Sequence, residues 1–182
     1  MNSSAFVAAS LAFLTAGAAW AQEPATGQIP DPRDSAQERR FDIRLGTGAP
    51  MMVSLSIAGR PFEGPLTVDG GLWVFAFMQG GYARVGWTIG LADYRDGAGR
   101  GSTLELTPMV GALSGIVAAG TDQVEHFIVP EAVVSFDWTW WFSNHIGLGA
   151  TLTLGGIFTG AYIDEIDIPA FPDARLAVGV SF

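Results

Sequence analysis

The sequence has no cysteine, no lysine and only two histidines among its 182 residues. Without cysteine there is neither a disulfide framework nor a thiolate metal site, and two histidines leave little from which to build a transition-metal centre. No cofactor is therefore expected. All nine cationic side chains are arginine, set against eighteen acids for a net charge of −9. That balance excludes a nucleic-acid partner, whose phosphates require clustered basic residues. Beyond residue 21 there is no uninterrupted apolar run of the ~20 residues that a membrane helix needs. A chain that crosses a membrane without such a run must do so as strands.

What is present is glycine, 24 residues of it, and a 49% apolar composition. Residues 1–21 carry an apolar stretch from Ala5 to Ala18, then Ala19-Trp20-Ala21, the small-x-small pattern of a signal-peptidase site. This predicts export with cleavage after Ala21, although the first basic residue is Arg33. Residues 22–40, with Pro24, Pro30 and Pro32 and few apolar side chains, read as a periplasmic leader that ends in a short helical turn. One domain, 41–182, remains.

That domain breaks into apolar-alternating segments with no 3.6-residue stripe, which is the signature of strands. The expected strands are 41–48, 51–59, 66–79, 81–94, 102–117, 125–142, 145–159 and 172–182, with turns at 79–81, 96–101, 120–122 and 143–144. Two points stay open. Gly46–Pro50 could be a kink within one strand, and extra bends in 102–117 and 125–142 would give ten strands. In 81–94, Ala83, Val85, Trp87, Ile89 and Leu91 share one face while Tyr82, Arg84, Gly86, Thr88 and Gly90 share the other. The segment 145–154 divides in the same way, but 72–78 is apolar on both faces. An apolar exterior around a narrow polar interior predicts an all-β fold, an eight-stranded antiparallel up-and-down transmembrane barrel.

The final strand is the most telling. Leu176, Val178, Val180 and Phe182 lie on one face, with Arg175, Ala177, Gly179 and Ser181 on the other, and the chain stops on the aromatic residue. This ending, with the alternation from Phe41 onward, resembles the small bacterial outer-membrane barrels of the OmpA and OmpX type. The resemblance implies a location in the outer membrane of a Gram-negative bacterium and a terminal phenylalanine read by the barrel-assembly machinery. Outer-membrane lipid and lipopolysaccharide would be its surroundings, and the interior would be closed.

Parity sends Asp42, Arg44, Arg84, Glu105, Asp137 and Arg175 inward, three acids and three bases, which suggests a salt-bridge network along the barrel axis. A gated or leaky pore is the alternative. Trp138, Trp140 and Trp141, with Trp73, are expected in an aromatic girdle at the membrane boundary, where the ring is apolar and the N–H stays wet.

A catalytic reading rests on Ser114, His126 and Glu131. If the hairpin turns near Gly120, Ser114 lies opposite His126 on the outer face, a place suited to cleaving a lipid ester. In size and strand number the chain resembles the lipid A deacylase (PagL) family, but residue 128 is isoleucine and the His-x-Ser element of that family is absent. Asp164, Glu165 and Asp167 form an acidic loop that could hold a divalent cation, though a solvated loop is the simpler reading. The leading expectation is a non-catalytic outer-membrane barrel with a structural, adhesion or envelope-integrity role. The alternatives are a lipid A-modifying esterase and a soluble lipocalin-like ligand carrier, which would be apolar inside and polar outside.

Overall fold

The computed structural model describes residues 35–76, 78–119, 123–159 and 170–182. The signal segment, most of the leader and the loop bearing Asp164, Glu165 and Asp167 lie outside the described residues. The strands are β1 (Arg40–Ala49), β2 (Val53–Arg60), β3 (Leu66–Phe75), β4 (Met78–Trp87), β5 (Ile89–Asp93), β6 (Gly101–Ala119), β7 (Gln123–Ser143), β8 (Ile146–Phe158) and β9 (Ala170–Ser181). Neighbouring strands pair antiparallel in the order β4-β3-β2-β1-β9-β8-β7-β6-β5, and β4 also pairs with β6. β4 and β5 are one stave interrupted at Thr88, so the nine segments form eight staves closed into a barrel. Closure leaves no sheet edge, and in hydrocarbon an unpaired edge has no water to satisfy it.

The last residue takes part in the closure. Phe182 N–H donates to the Phe41 carbonyl at 2.8 Å, and Phe41 N–H donates back to Phe182 at 3.1 Å. The end of the barrel that carries both Arg40 and Phe182 is the near end, and the opposite one is the far end.

Side chains alternate across the wall as the two-residue period requires. Outward are Phe41, Ile43, Leu45, Leu55, Ile57, Val85, Leu148, Leu152, Leu176 and Val178, all exposed, with Leu72 at 69% and Ile128 at 68%. Inward are arginines, carboxylates, serines and threonines. Among the described side chains, no Asp, Glu or Arg faces outward from a strand. This sidedness is the reverse of a lipocalin's, and the lipocalin-like alternative is corrected by it.

Two open points of the sequence reading close and one detail changes. Gly46 pairs with Ser54 across a turn, so the first segment is a hairpin rather than a kinked strand. β6 and β7 run unbroken through nineteen register pairs, which removes the ten-strand alternative. The turn expected at 79–81 lies instead directly after Phe75, where Ala76 has φ of 50°, since Phe75 already pairs with Met78, and Gln79, Gly80 and Gly81 sit inside β4. Ala76 is none of Gly, Pro, Asn or Asp, the residues by which turns are read from sequence.

Candidate functional site

The interior is the part of the molecule with chemistry in it, and it is layered from the near end to the far end. At the near mouth, Ser35 and Ala36 are buried, and the Gly64 N–H donates to the Gln37 carbonyl at 3.1 Å, which pins the segment before β1. Arg95, in the turn between β5 and β6, joins Glu38 at 2.8 Å to Asp93 at 2.6 Å and lies 5.8 Å from the Trp141 ring centroid. Burial opposes its charge, but the hydrogen bonds it donates to Asp93 and Glu38 carry the guanidinium's pKa above its ordinary value. In the same turn, the backbone N–H of Arg100 holds the exposed Asp96 carboxyl below the usual carboxylate range.

Above the mouth lies a first ionic cluster. Arg40 reaches Asp42 at 2.8 Å and Glu105 at 2.9 Å, and Arg60 takes the other oxygen of Glu105 at 3.1 Å. Arg44 bridges Asp42 at 2.7 Å and Asp137 at 2.9 Å, and Thr151 donates to Asp137 at 2.6 Å. Arg40 also donates to the hydroxyls of Thr139 and of Ser181, the latter at 3.2 Å. Glu105 and Asp137 are direct partners in the β6–β7 register. Two like charges in that relation repel, and the three guanidiniums between and beside them make the pairing tolerable. Thr67, Thr88 and Thr107 form a hydroxyl chain at 2.5 and 3.0 Å beside a cavity of about 20 Å³. That volume holds about one water molecule.

A second cluster lies farther along the axis. Arg84 takes Asp69 at 3.1 Å and binds Glu131 through Nε, with Asp173 at 3.8 Å. Arg175 pairs with Asp173, its Nε at 2.7 Å, and with Glu131 at 3.3 Å. Both guanidiniums stack on Tyr82, at 4.1 and 4.9 Å from the ring centroid. Register explains how bulky arginines fit inside a small barrel. Arg84 stands beside Gly111, Arg175 beside Gly48 and Arg44 beside Gly179. A Cβ on Gly111 would fall against the Ala83 carbonyl oxygen and within 2.8 Å of the Arg84 Cγ.

The far end is closed by an apolar plug. Met51, Trp73, Tyr82, Leu113, Val129 and Ile157 form one buried cluster, with Met78 and Phe127 against it. Trp73 and Phe127 have ring centroids 6.3 Å apart.

The structure thus places Asp42, Arg44, Arg84, Glu105, Asp137 and Arg175 inside, divided between the two clusters. Sequence reasoning missed Arg40, Arg60, Asp69, Glu131 and Asp173 as members. Each stands an even number of residues from another inward charge on its strand or in its directly paired register, which is the signal that could have found them. Of the proposed girdle, Trp138 and Trp140 face outward near the near end, where Phe41, Tyr94, Phe142 and Phe182 are also exposed. Trp73 and Trp141 do not belong to it. Trp73 is 3% exposed within the far plug, and Trp141 is 5% exposed within the near mouth, donating to Thr103 at 3.1 Å. Trp141 shares the inward parity of Asp137 and Thr139, and its ring is covered by Arg40 at 5.2 Å.

The proposed Ser114, His126 and Glu131 set does not assemble. Ser114 is paired in register with Ile128, and His126 with Ile116. The Ser114 hydroxyl donates to the Gly81 carbonyl at 3.2 Å. Glu131 is 2% exposed on the opposite side of the wall, bound to Arg84 and Arg175. A carboxylate inside the barrel cannot orient a histidine outside it. Leu176, Val178 and Phe182 of the terminal signature are exposed on the outer wall and Val180 is half-buried there.

No protein-family model matches the chain, and no curated protein matches it in sequence. Among solved structures the fold is similar to the N-terminal β-barrel domain of Pseudomonas aeruginosa OprF, with a TM-score of 0.56 and 11% identity, covering 79% of this chain and 96% of that one. At that identity the likeness is one of fold: a closed eight-stranded antiparallel barrel.

Proposed function

We propose that this chain is an integral outer-membrane barrel whose role is structural rather than catalytic, a sealed stave-wall anchored in lipid. The single observation that carries this reading is the inverted sidedness of the wall. Large apolar side chains cover the outside, and every described charge borne by a strand is turned inside and paired. In water such a surface would be an aggregation hazard. In a bilayer it is the stable arrangement, because hydrocarbon replaces water at the outer face and the closed ladder satisfies every wall amide.

On this reading the near end, with both strand termini and the outward Trp138 and Trp140, faces the periplasm. The leader 22–40 lies on that side after export and cleavage behind Ala21. Lipid and lipopolysaccharide contact the wall, and the assembly machinery recognises the strand ending in Phe182. The two ionic clusters, the cavity of about 20 Å³ and the far plug favour a closed interior over a porin-like one. The separation of Ser114 and His126 from Glu131 favours a non-catalytic role.

The test is extraction and gel mobility. The protein should leave the membrane only with detergent, and its folded form should migrate differently from the boiled form. Release by salt or alkali without detergent, or identical mobility before and after boiling, would overturn the assignment.

A further inference from the structure

We infer that residues 35–39, just before β1, form a releasable strap that covers the free side of β5 and seals the near mouth. Among the described residues, every strand pairs with a neighbour on both sides except β5, which pairs with β6 alone. On its other side, pairing stops at Trp87, and the next N–H, that of Thr88, donates to the Pro65 carbonyl at 2.8 Å. From Ile89 to Asp93 the strand runs on past the β2–β3 turn with no strand beside it. An unpaired edge is a template for another chain, and in hydrocarbon its amides have no water to satisfy them.

The strap lies where that edge needs cover. Its Gln37 carbonyl accepts the Gly64 N–H of the β2–β3 turn at 3.1 Å. Gly64 has φ of 119°, and a Cβ there would meet nothing within 4 Å, so glycine serves the backbone conformation of this contact rather than its space. One residue along the strap, the two Glu38 carboxylate oxygens take Arg95 of the β5–β6 turn at 2.8 and 3.0 Å. Those two turns flank the free side of β5, so the segment bridges it. Asp93, the last residue of β5, is buried and held by the same Arg95. One guanidinium thus ties the strap to the end of the strand that it covers.

The strap can leave without unmaking the wall. Its buried side chains are a serine and an alanine, so its departure uncovers little apolar surface. The Glu38–Arg95 pair is two-pronged, but the Glu38 side chain is 50% exposed and therefore screened by salt. Arg40, at the start of β1, is the opposite case. It is buried and donates to Asp42, Glu105, Thr139 and Ser181. The junction of Arg39 and Arg40 is the hinge, where release stops and the first ionic cluster stays whole. Lightly buried segments of this kind open ahead of the body of a fold. The device belongs to the near mouth, whichever compartment that mouth faces.

Trypsin digestion and amide hydrogen exchange of the protein refolded in detergent micelles test this, with Glu38→Ala and Glu38→Arg beside the parent. Neither substitution touches the Arg95–Asp93 pair. The Arg39 side chain is exposed, but a segment held at both turns should be a poor fit to a protease cleft. Cleavage after Arg39, measured against a free arginyl peptide in the same tube, should be slow in the parent at low salt and rise with salt. Glu38→Ala should be cut about fivefold faster at low salt and should lose the salt dependence. Glu38→Arg, which sets two cations face to face, should be cut faster still. Exchange across Ile89–Asp93 should rise together with cleavage, while Ile146–Phe158, paired on both sides, stays protected. The heat-dependent gel shift should persist in all three proteins, which separates failure of the strap from failure of the barrel. Parent cleavage that ignores salt, equal cleavage of parent and Glu38→Arg, exchange at β5 that does not follow the strap, or loss of the gel shift in a Glu38 variant would overturn the inference.

Discussion

At the near end of the barrel three guanidiniums meet three carboxylates, and every buried polar side-chain atom described there has a hydrogen-bond partner. At the far end two guanidiniums meet three carboxylates, three atoms go without a partner, and an apolar plug of Trp73, Leu113, Val129 and Ile157 closes the space above. Both regions face the same demand. A narrow barrel has no solvent with which to screen its interior charges, so each charge must be matched or covered. The near half matches charges and leaves its mouth polar, with Arg95 and Glu38 at the rim. The far half covers an imperfect match with apolar side chains. Specific ionic geometry therefore matters most near the termini, and packing matters most at the other end.

The largest test of this contrast is in the near half. Arg40→Ala strips a cation from both Asp42 and Glu105 and should cost about 3–5 kcal/mol, the penalty for orphaning buried charge. Urea unfolding in micelles would measure it, and a loss below about 1 kcal/mol would show that this pairing contributes little. In the far half, Leu113→Ala opens a cavity in the plug and should cost about 3 kcal/mol, with no change in the pH profile because no charge is touched. If that substitution altered the pH profile, plug and cluster could not be treated as separate devices. A smaller effect is expected from Gly111→Ala, whose added methyl meets the Ala83 carbonyl and the Arg84 side chain. It should lower stability by about 1–3 kcal/mol through displaced backbone, whereas alanine in an open strand position would be harmless. Smallest is Ser114→Ala on the outer face of the wall, with an expected change within about 0.5 kcal/mol. Any loss of lipid-ester cleavage on that change would revive a catalytic reading of the outer face.

How much of this contrast could be read in the sequence differs between wall and interior. The eight staves were legible because a wall with an apolar outside and a polar lumen imposes alternation along its whole length. The expected 172–182 and 145–159 lie close to the observed Ala170–Ser181 and Ile146–Phe158. Legibility failed where that rule was suspended. From Leu72 to Met78 both faces are apolar, with Trp73 in the plug and Met78 packed against it, and Ala76 at the turn is none of the usual turn residues. Trp73 and Trp141 were misplaced for a related reason. An amphipathic ring suits a membrane boundary, but it suits a plug or the face of an arginine equally well. For Trp141 parity was the better guide, because Asp137 on the same strand already pointed inward. The network was only half legible because membership is a matter of register. Glu131 sits on the same cross-strand row as Arg84, with Gly111 between them, and only pairing across two strand boundaries brings them together. Asp173 stands two residues before Arg175 on the same inward face.

The central claim is that the interior is sealed by paired charge and an apolar plug, so the most direct measurement is conductance. Purified, refolded protein inserted in a planar bilayer should show no steady ionic current, even after insertion has been verified by the heat-dependent gel shift. Stable ohmic steps from the unmodified protein would contradict the account.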